Sequence, residues 1–116
     1  MEASTIIKSI HKRIIKSFLD ILVLAELRNS PMSGYDVISF IHDKFRLLVS
    51  TGTVYCTLYS LERNGLILGT WSQRKRVYKL TAKGEETIKT ILSADDNVRY
   101  LISNLLKVQM QTAIKS

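Results

Sequence analysis

Apolar residues in the first quarter of the chain recur at helical spacing. A helix over residues 3–17 would carry five isoleucines on one stripe: Ile6, Ile7, Ile10, Ile14 and Ile15. The run continues to Leu27 with few polar residues, and a helix that is apolar on nearly every side lies in a core or between subunits. Because Pro31 disfavours helix at the residue before it, the pattern predicts one continuous helix over residues 3–28.

Two further helices carry start and stop signals. Ser33 followed three residues later by Asp36 is a capping pattern, and it predicts a second helix over 33–45. Ser50 is the expected cap of a third helix, over residues 50–64. Gly65 follows that helix, where glycine commonly ends a helix.

Two short β runs follow the third helix. Residues 66–71 and 76–80 have strand character, and the four residues between them form a connection of hairpin length. Thr81 is then the expected cap of another helix, and residues 94–97 predict a kink or a new helix start. Beyond them, apolar residues recur at spacings of three and four in a narrow seam: Val98, Leu101, Ile102, Leu105 and Leu106.

This order of elements predicts a fold that is mainly α with a small β-hairpin wing, a winged helix-turn-helix. Residues 1–92 would form the DNA-binding domain with its N-terminal helical extension, and residues 93–116 a C-terminal dimerisation helix. The expected homodimer interface combines that seam with part of the isoleucine stripe: Ile6, Ile7, Ile10 and Ile14.

The charge balance indicates the kind of partner. The 116 residues carry a net charge of +7, and a small basic domain commonly binds nucleic acid. One cysteine, Cys56, excludes an internal disulfide. No apolar run approaches the roughly 20 residues of a membrane span, and the N-terminus lacks a secretory pattern. We expect a cytoplasmic protein with no membrane partner.

The third helix has two contrasting faces on a helical wheel. Val54, Leu58 and Leu61 point to the core, and the opposite face is small or hydrogen-bonding, with no acid from residue 46 to 61. That face comprises Gly52, Thr53, Cys56, Tyr59, Ser60 and Arg63, and all but Gly52 are expected on base edges or flanking phosphates in the major groove. Ser50 and Thr51, with the free amides of the first turn, are expected to hold phosphates.

The wing, residues 71–79, is basic. Residues 69–84 contain no acid, and segregated positive charge is typical of a surface that follows phosphates: Arg74, Lys75, Arg76 and Lys79. Tyr35 and Tyr55 either donate to phosphates or pack in the core with an exposed hydroxyl; the sequence leaves both readings open.

Three motifs together resemble the PadR family of transcriptional regulators, over roughly residues 18–92. They are Ser33-Gly34-Tyr35, Gly52-Thr53-Val54-Tyr55, and the segment from Tyr78 to Gly84, YKLTAKG. The resemblance implies a homodimeric, sequence-specific DNA binder, commonly a repressor released by a small molecule. The short segment after the wing is similar to the family's short-tailed branch.

Other functions have less support in the sequence. His11, His42 and Cys56 lack metal-ligand spacing, and we expect neither a cofactor nor an enzyme. The alternatives are a small-molecule or redox sensor, a winged-helix module that binds protein, and an architectural protein that binds DNA without sequence preference.

Overall fold

The computed structural model describes residues 2–115, without the side chains of Leu106 and of residues 108–115. Within this range the helices are α1 Ala3–Ser17, α2 Leu19–Leu27, α3 Gly34–Phe45, α4 Thr51–Arg63, α5 Ala82–Ser93 and α6 Asp95–Lys115. The strands are β1 Met32–Ser33, β2 Ile67–Ser72 and β3 Lys75–Leu80. The fold is helix-rich with a small antiparallel sheet, which confirms the predicted fold class.

The prediction of one continuous helix over residues 3–28 is wrong, because the chain bends at Phe18. Phe18 leaves helical geometry with φ −111° and ψ 21°, and α2 starts at the next residue. The two segments differ in burial: α2 buries Leu19, Val23, Leu24 and Leu27, whereas α1 buries no residue. The bend lets the apolar α2 enter the core while the amphipathic α1 stays at the surface.

The predicted helix caps at Ser33 and Ser50 are confirmed. Ser33 N–H donates to the Asp36 carboxylate at 2.9 Å, and Asp36 N–H donates to Ser33 Oγ at 3.1 Å. These bonds lower the pKa of Asp36, chiefly through the Ser33 amide. Ser50 Oγ accepts from Thr53 N–H at 3.2 Å, so α3 and α4 both begin where their hydroxyl caps place them.

Gly65 ends α4 in a left-handed conformation, with φ 75°. Its amide donates to the Glu62 carbonyl at 3.0 Å and the Leu66 amide donates to the Leu61 carbonyl at 3.0 Å. This pair of bonds is the Schellman arrangement, which turns the chain from α4 directly into β2.

The sheet has three strands in the order β1-β3-β2, all antiparallel. β2 and β3 form the predicted hairpin, with Ile67 opposite Leu80 and Ser72 opposite Lys75. The turn is therefore Gln73-Arg74 alone, two residues shorter than expected. The sequence pattern missed β1, in which Met32 pairs with Tyr78 and Ser33 with Val77.

One core joins α2, α3, α4, the hairpin and α5. Its side chains with less than 2% exposure come from all of these: Leu19, Val23, Ile41, Val54, Leu58, Ile67 and Ile88. The hairpin closes at its base, where Thr81 N–H donates to the Leu66 carbonyl at 3.1 Å and its hydroxyl donates to the Gly65 carbonyl at 2.6 Å. Thr81 also caps α5 by accepting from Gly84 N–H, as predicted.

The two segments predicted to dimerise present exposed apolar residues. On α1 these are Ile6, Ile7, Ile10 and Ile14, and on α6 they are Val98, Leu101, Ile102 and Leu105. The Leu106 side chain, also assigned to the interface, lies outside the described residues. The predicted break before α6 is confirmed, since the new helix starts at Asp95. Over the described part of the chain, no helix is both long and apolar enough to cross a membrane.

Candidate nucleic-acid interface

Burial confirms the core face predicted for α4, and the predicted opposite face is exposed except at Thr53, which is half-buried. Val54, Leu58 and Leu61 are buried in the core. Along the opposite side runs an exposed crest of four residues: Gly52, Cys56, Tyr59 and Arg63. Tyr59 is 71% exposed. The crest carries no acidic side chain, which suits a surface that approaches a polyanion.

The first turn of α4 combines a side-chain cap with an open approach. Ser50 Oγ and Thr53 Oγ1 lie 2.7 Å apart and share a hydrogen bond, so both hydroxyls belong to the cap. A Cβ added to Gly52 would have no heavy atom within 4 Å. The first amides of a helix have no intrahelical acceptor, so this end of α4 offers N–H donors to an anion.

The two candidate phosphate-binding tyrosines differ in their surroundings. The Tyr55 ring lies across the start of α3, where a Cβ on Gly34 would meet the Tyr55 hydroxyl at 2.6 Å. Tyr55 thus packs against α3 while staying partly exposed, whereas Tyr35 is 72% exposed. Gly34 provides the space that lets α3 and α4 approach closely.

A groove of about 800 Å³ separates α4 from the wing. It is lined by aromatic and cationic side chains with one serine and one carboxylate: Ser33, Tyr35, Tyr55, Tyr59, Glu62, Trp71, Arg74, Lys75, Arg76 and Tyr78. The structure therefore brings three of the four predicted wing cations beside α4. Lys79 lies opposite Leu68, on the other face of the hairpin from the Gly69–Tyr78 pair, and is absent from this groove.

Glu62 connects α4 to the hairpin, a role that the sequence did not reveal. Its Oε2 accepts from Gly69 N–H at 2.9 Å and from the Arg76 guanidinium at 2.8 Å. The Gly69 amide and then Arg76 hold the pKa of Glu62 below its usual range. The bond from Arg76 to Glu62 in turn raises the pKa of Arg76.

This ion pair changes the expectation for Arg76 as a freely available phosphate ligand. Arg76 is held between Glu62 and Tyr78, with its guanidinium carbon 5.8 Å from the ring centroid. Glycine is needed at position 69, since a Cβ there would lie 2.5 Å from Arg76 Nε. Burial raises the pKa of Tyr78 beside them. Arg74 and Lys75, at the exposed end of the wing, are the more available cations.

The remaining groups with chemical potential are separated. Cys56 is an exposed free thiol on the α4 crest. His42 lies 3.6 Å from its neighbour Asp43 and far along the chain from His11. In the described part of the chain, no three His, Cys, Asp or Glu side chains are grouped so that they could hold a metal ion.

The fold and this site define a winged helix-turn-helix protein. The family model described as the transcriptional regulator PadR-like family matches residues 23–90, which run from α2 to α5. The chain belongs to this family of transcriptional regulators. No curated protein matches the chain.

Solved structures resemble the fold over most of the chain. A PadR family transcriptional regulator from Eggerthella lenta has 22% identity and a TM-score of 0.74, covering 89% of this chain and 94% of the other. A transcriptional regulator from Thermoplasma acidophilum has 24% identity and a TM-score of 0.71, with 83% and 95% covered. Bacillus subtilis PadR in complex with operator DNA has 25% identity and a TM-score of 0.56, with 64% and 47% covered.

Proposed function

We propose that this regulator is a homodimeric repressor that binds a palindromic double-stranded operator. The α4 crest enters the major groove, and the wing lies on the flanking backbone. The observation that carries the proposal is the placement of an exposed, acid-free helix face beside a groove with three cations. A helix in the major groove needs short hydrogen-bonding side chains and no negative charge.

The proposed contacts divide by location. Five residues of α4 face base edges or the flanking phosphates: Thr53, Cys56, Tyr59, Ser60 and Arg63. Thr53 does so through its hydroxyl, which is hydrogen-bonded to that of Ser50. Phosphates are held at the start of α4, at the two tyrosines and on the wing: Ser50, Thr51, Tyr35, Tyr55, Arg74, Lys75, Arg76 and Lys79. Arg76 contributes chiefly by fixing the hairpin, because Glu62 already holds its guanidinium.

Exposed apolar surface on α1 and α6 supports the homodimer. In the described residues, four isoleucines of α1 and four apolar residues of α6 are each more than 40% exposed. A second copy would bury both surfaces and place two α4 helices on half-sites about one DNA turn, roughly 34 Å, apart. A palindromic operator mirrors such two-fold symmetry.

The relative from Bacillus subtilis is described in complex with operator DNA, which supports an operator as the target here. A repressor role and a cytoplasmic location, where the operator would be reached, are parts of the same proposal.

Affinity selection from random duplexes at physiological salt tests the proposal. We expect enrichment of a two-fold symmetric motif bound by two copies of the chain. Tyr59→Ala with Arg63→Ala should abolish motif preference, whereas Lys89→Ala, on exposed α5 surface, should keep it. Enrichment without a motif would favour an architectural protein, and failure to retain any duplex would reject DNA binding.

The groove beside the wing favours a second candidate function, binding of a small aromatic anion as effector. Trp71 is 72% exposed there, next to Arg74 and Lys75. Aromatic faces and cations together suit a planar acid. Because Trp71 is the only tryptophan, quenching of its fluorescence by candidate acids, with loss in Arg74→Ala, tests this directly.

A further inference from the structure

A second basic surface lies beside the N-terminal helix α1, away from the wing. A cleft of about 880 Å³ opens between α1 and the end of α3 with the loop that follows. Its lining is polar and basic apart from two leucines: Ser4, Thr5, Lys8, Ser9, Lys12, His42, Arg46, Leu47 and Leu48. Among the residues that the structure describes, no carboxylate lines it.

The cations of this cleft are available for an external anion. Residues 3–19 contain no acid, so α1 has no carboxylate of its own to neutralise Lys8 and Lys12. In the part of the chain that the structure describes, no ion pair involves Lys8, Lys12 or Arg46. The acid nearest along the chain to the cleft's second wall is Asp43, which lies beside His42. Like charge gathered from two elements creates a local positive potential that attracts phosphates.

The cleft adjoins the α4 surface proposed to enter DNA. Arg46, Leu47 and Leu48 come just before Ser50, the cap of α4, so one wall of the cleft leads directly into the end of α4 that offers free amides. One turn further along α1, Lys16 lines a groove of about 350 Å³ with Asp20 of α2 and with Cys56 and Ser60 of α4.

The wing and α1 therefore occupy opposite sides of the α4 crest. The wing groove is lined from α4 by Tyr55, Tyr59 and Glu62, whereas the α1 groove is lined by Cys56, Thr57 and Ser60. A helix seated in the major groove has a DNA strand on each side of it. The wing would supply cations to one strand, and Lys16 lies on the side of the other, on the same face of α1 as Lys8 and Lys12.

The geometry of α1 keeps the lysines apart from the proposed dimer surface. At 3.6 residues per turn, Lys8, Lys12 and Lys16 centre on a direction roughly half a turn from Ile6, Ile10 and Ile14. The isoleucines are exposed on their own face. A second copy packed on them would leave the lysines uncovered.

We propose that Lys8 and Lys12 of α1, with Arg46, form a second phosphate-binding surface for the DNA strand opposite the wing. This rests on the proposed DNA-binding function and extends its footprint beyond the family-matched segment, residues 23–90, onto α1. Since phosphate contacts carry no base information, the surface adds affinity and fixes orientation without adding sequence preference.

The test measures Lys8→Gln and Lys12→Gln, singly and combined, with Lys89→Gln as the control. Lys89 is an exposed lysine of α5 that lies outside both grooves. With the selected operator, or with random duplex if no motif emerges, the double variant should bind on the order of tenfold more weakly. The slope of its log affinity against log salt concentration should be smaller by about 1.8, because each of the two lost phosphate contacts contributes about 0.9. Lys89→Gln should match the parent, and all variants should keep the parent's melting temperature.

Hydroxyl-radical footprinting separates the two flanks. The double variant Lys8→Gln with Lys12→Gln should lose protection of the DNA backbone on one side of the contacted groove. The double variant Arg74→Ala with Lys75→Ala should lose it on the other side. Parent-like affinity and salt dependence in the lysine double variant would overturn the α1 surface. If the wing variant then still weakens binding, the proposed function stands; if the parent retains no duplex, both proposals fail.

Discussion

Glu62 of α4 and Arg76 of β3 form an ion pair at 2.8 Å, and the same carboxylate oxygen accepts from the Gly69 amide. The pair fixes the hairpin against the helix that bears the exposed crest. A side chain with negative charge thus lies at the rim of a surface proposed to bind a polyanion, where simple electrostatics would disfavour it. Its position makes sense as a structural contact that holds the wing at a set distance from α4.

Glu62→Gln tests this role because charge and positioning predict opposite results. The substitution removes one negative charge from the surface, so electrostatics alone would tighten DNA binding. We expect weaker operator binding, with unfolding free energy lower by about 1 kcal/mol from the lost charged hydrogen bonds on a partly exposed pair. Glu86→Gln makes the same change of charge on exposed α5 surface and serves as the control. Tighter binding by Glu62→Gln would refute a positioning role.

The pH dependence of stability should show the same contact. The folded pKa of Glu62 is depressed, so its contribution is fully present above the unfolded pKa of about 4.3 and is lost as pH falls through the lower folded value. Asp36 adds a contribution of the same sign. Chemical denaturation between about pH 6 and pH 3 should therefore give a smaller loss of stability for Glu62→Gln than for the parent. Equal slopes would mean that Glu62 does not titrate differently in the folded state.

The wing turn separates folding from binding. Gln73 and Arg74 have φ of 47° and 71°, a left-handed pair that matches a two-residue hairpin turn and favours glycine or asparagine. We expect Arg74→Gly to raise the unfolding free energy by about 0.5–1 kcal/mol. The same substitution should lower DNA affinity and reduce the slope of log affinity against log salt concentration by about 0.9. Gln73→Gly relieves the same strain without loss of charge, so it should stabilise and leave binding unchanged. Lower affinity in both would indicate that turn geometry, not the Arg74 charge, governs binding.

Gly52 offers a second separation on α4. Nothing lies within 4 Å of a Cβ built there, so Gly52→Ala should not clash and should raise stability by up to about 1 kcal/mol through helix propensity. The added methyl group would project from the crest proposed to face DNA, and we expect operator affinity to fall several-fold. Thermal unfolding and fluorescence anisotropy measure the two effects. Unchanged affinity would place the DNA farther from the first turn than proposed.

The α1 isoleucines provide the test of the dimer. Ile10→Glu places a charge on the exposed stripe and should shift the protein to a monomer in sedimentation equilibrium, with little loss of fold stability because α1 buries no residue. Thr5→Glu introduces the same charge on the opposite face of α1 and should remain dimeric. A dimeric Ile10→Glu protein would move the interface off this stripe.

Features that depend on neighbouring residues could be predicted from the sequence. The Ser33–Asp36 capping box, the Ser50 and Thr81 caps and the buried trio of α4 all follow from spacings of a few residues. The hairpin was found as well, although its turn proved shorter, because strand ends are set by pairing and by backbone angles that residue type only favours.

Features that depend on distant packing were missed. Met32 and Ser33 form a strand only because β3 lies beside them, and two residues carry no periodicity of their own. The bend at Phe18 depends on tertiary packing, because it lies where the chain passes from the exposed α1 to the buried α2. Glu62 bonds to Gly69 and Arg76 across the chain reversal at Gly65, and no local pattern distinguishes it from a solvated glutamate.

The closed base of the hairpin has an evolutionary consequence. Thr81 bonds to the carbonyls of Gly65 and Leu66, so the strands leave and re-enter the core at one fastened point. Residues 70–75, which also lie beyond the bonds from Gly69 and Arg76 to Glu62, can change in number or charge without disturbing the packing of α2, α4 and α5. If the wing binds phosphates as proposed, exchanging this outer turn would tune affinity for the DNA backbone, while the domain beneath it and the base preference of α4 stay the same.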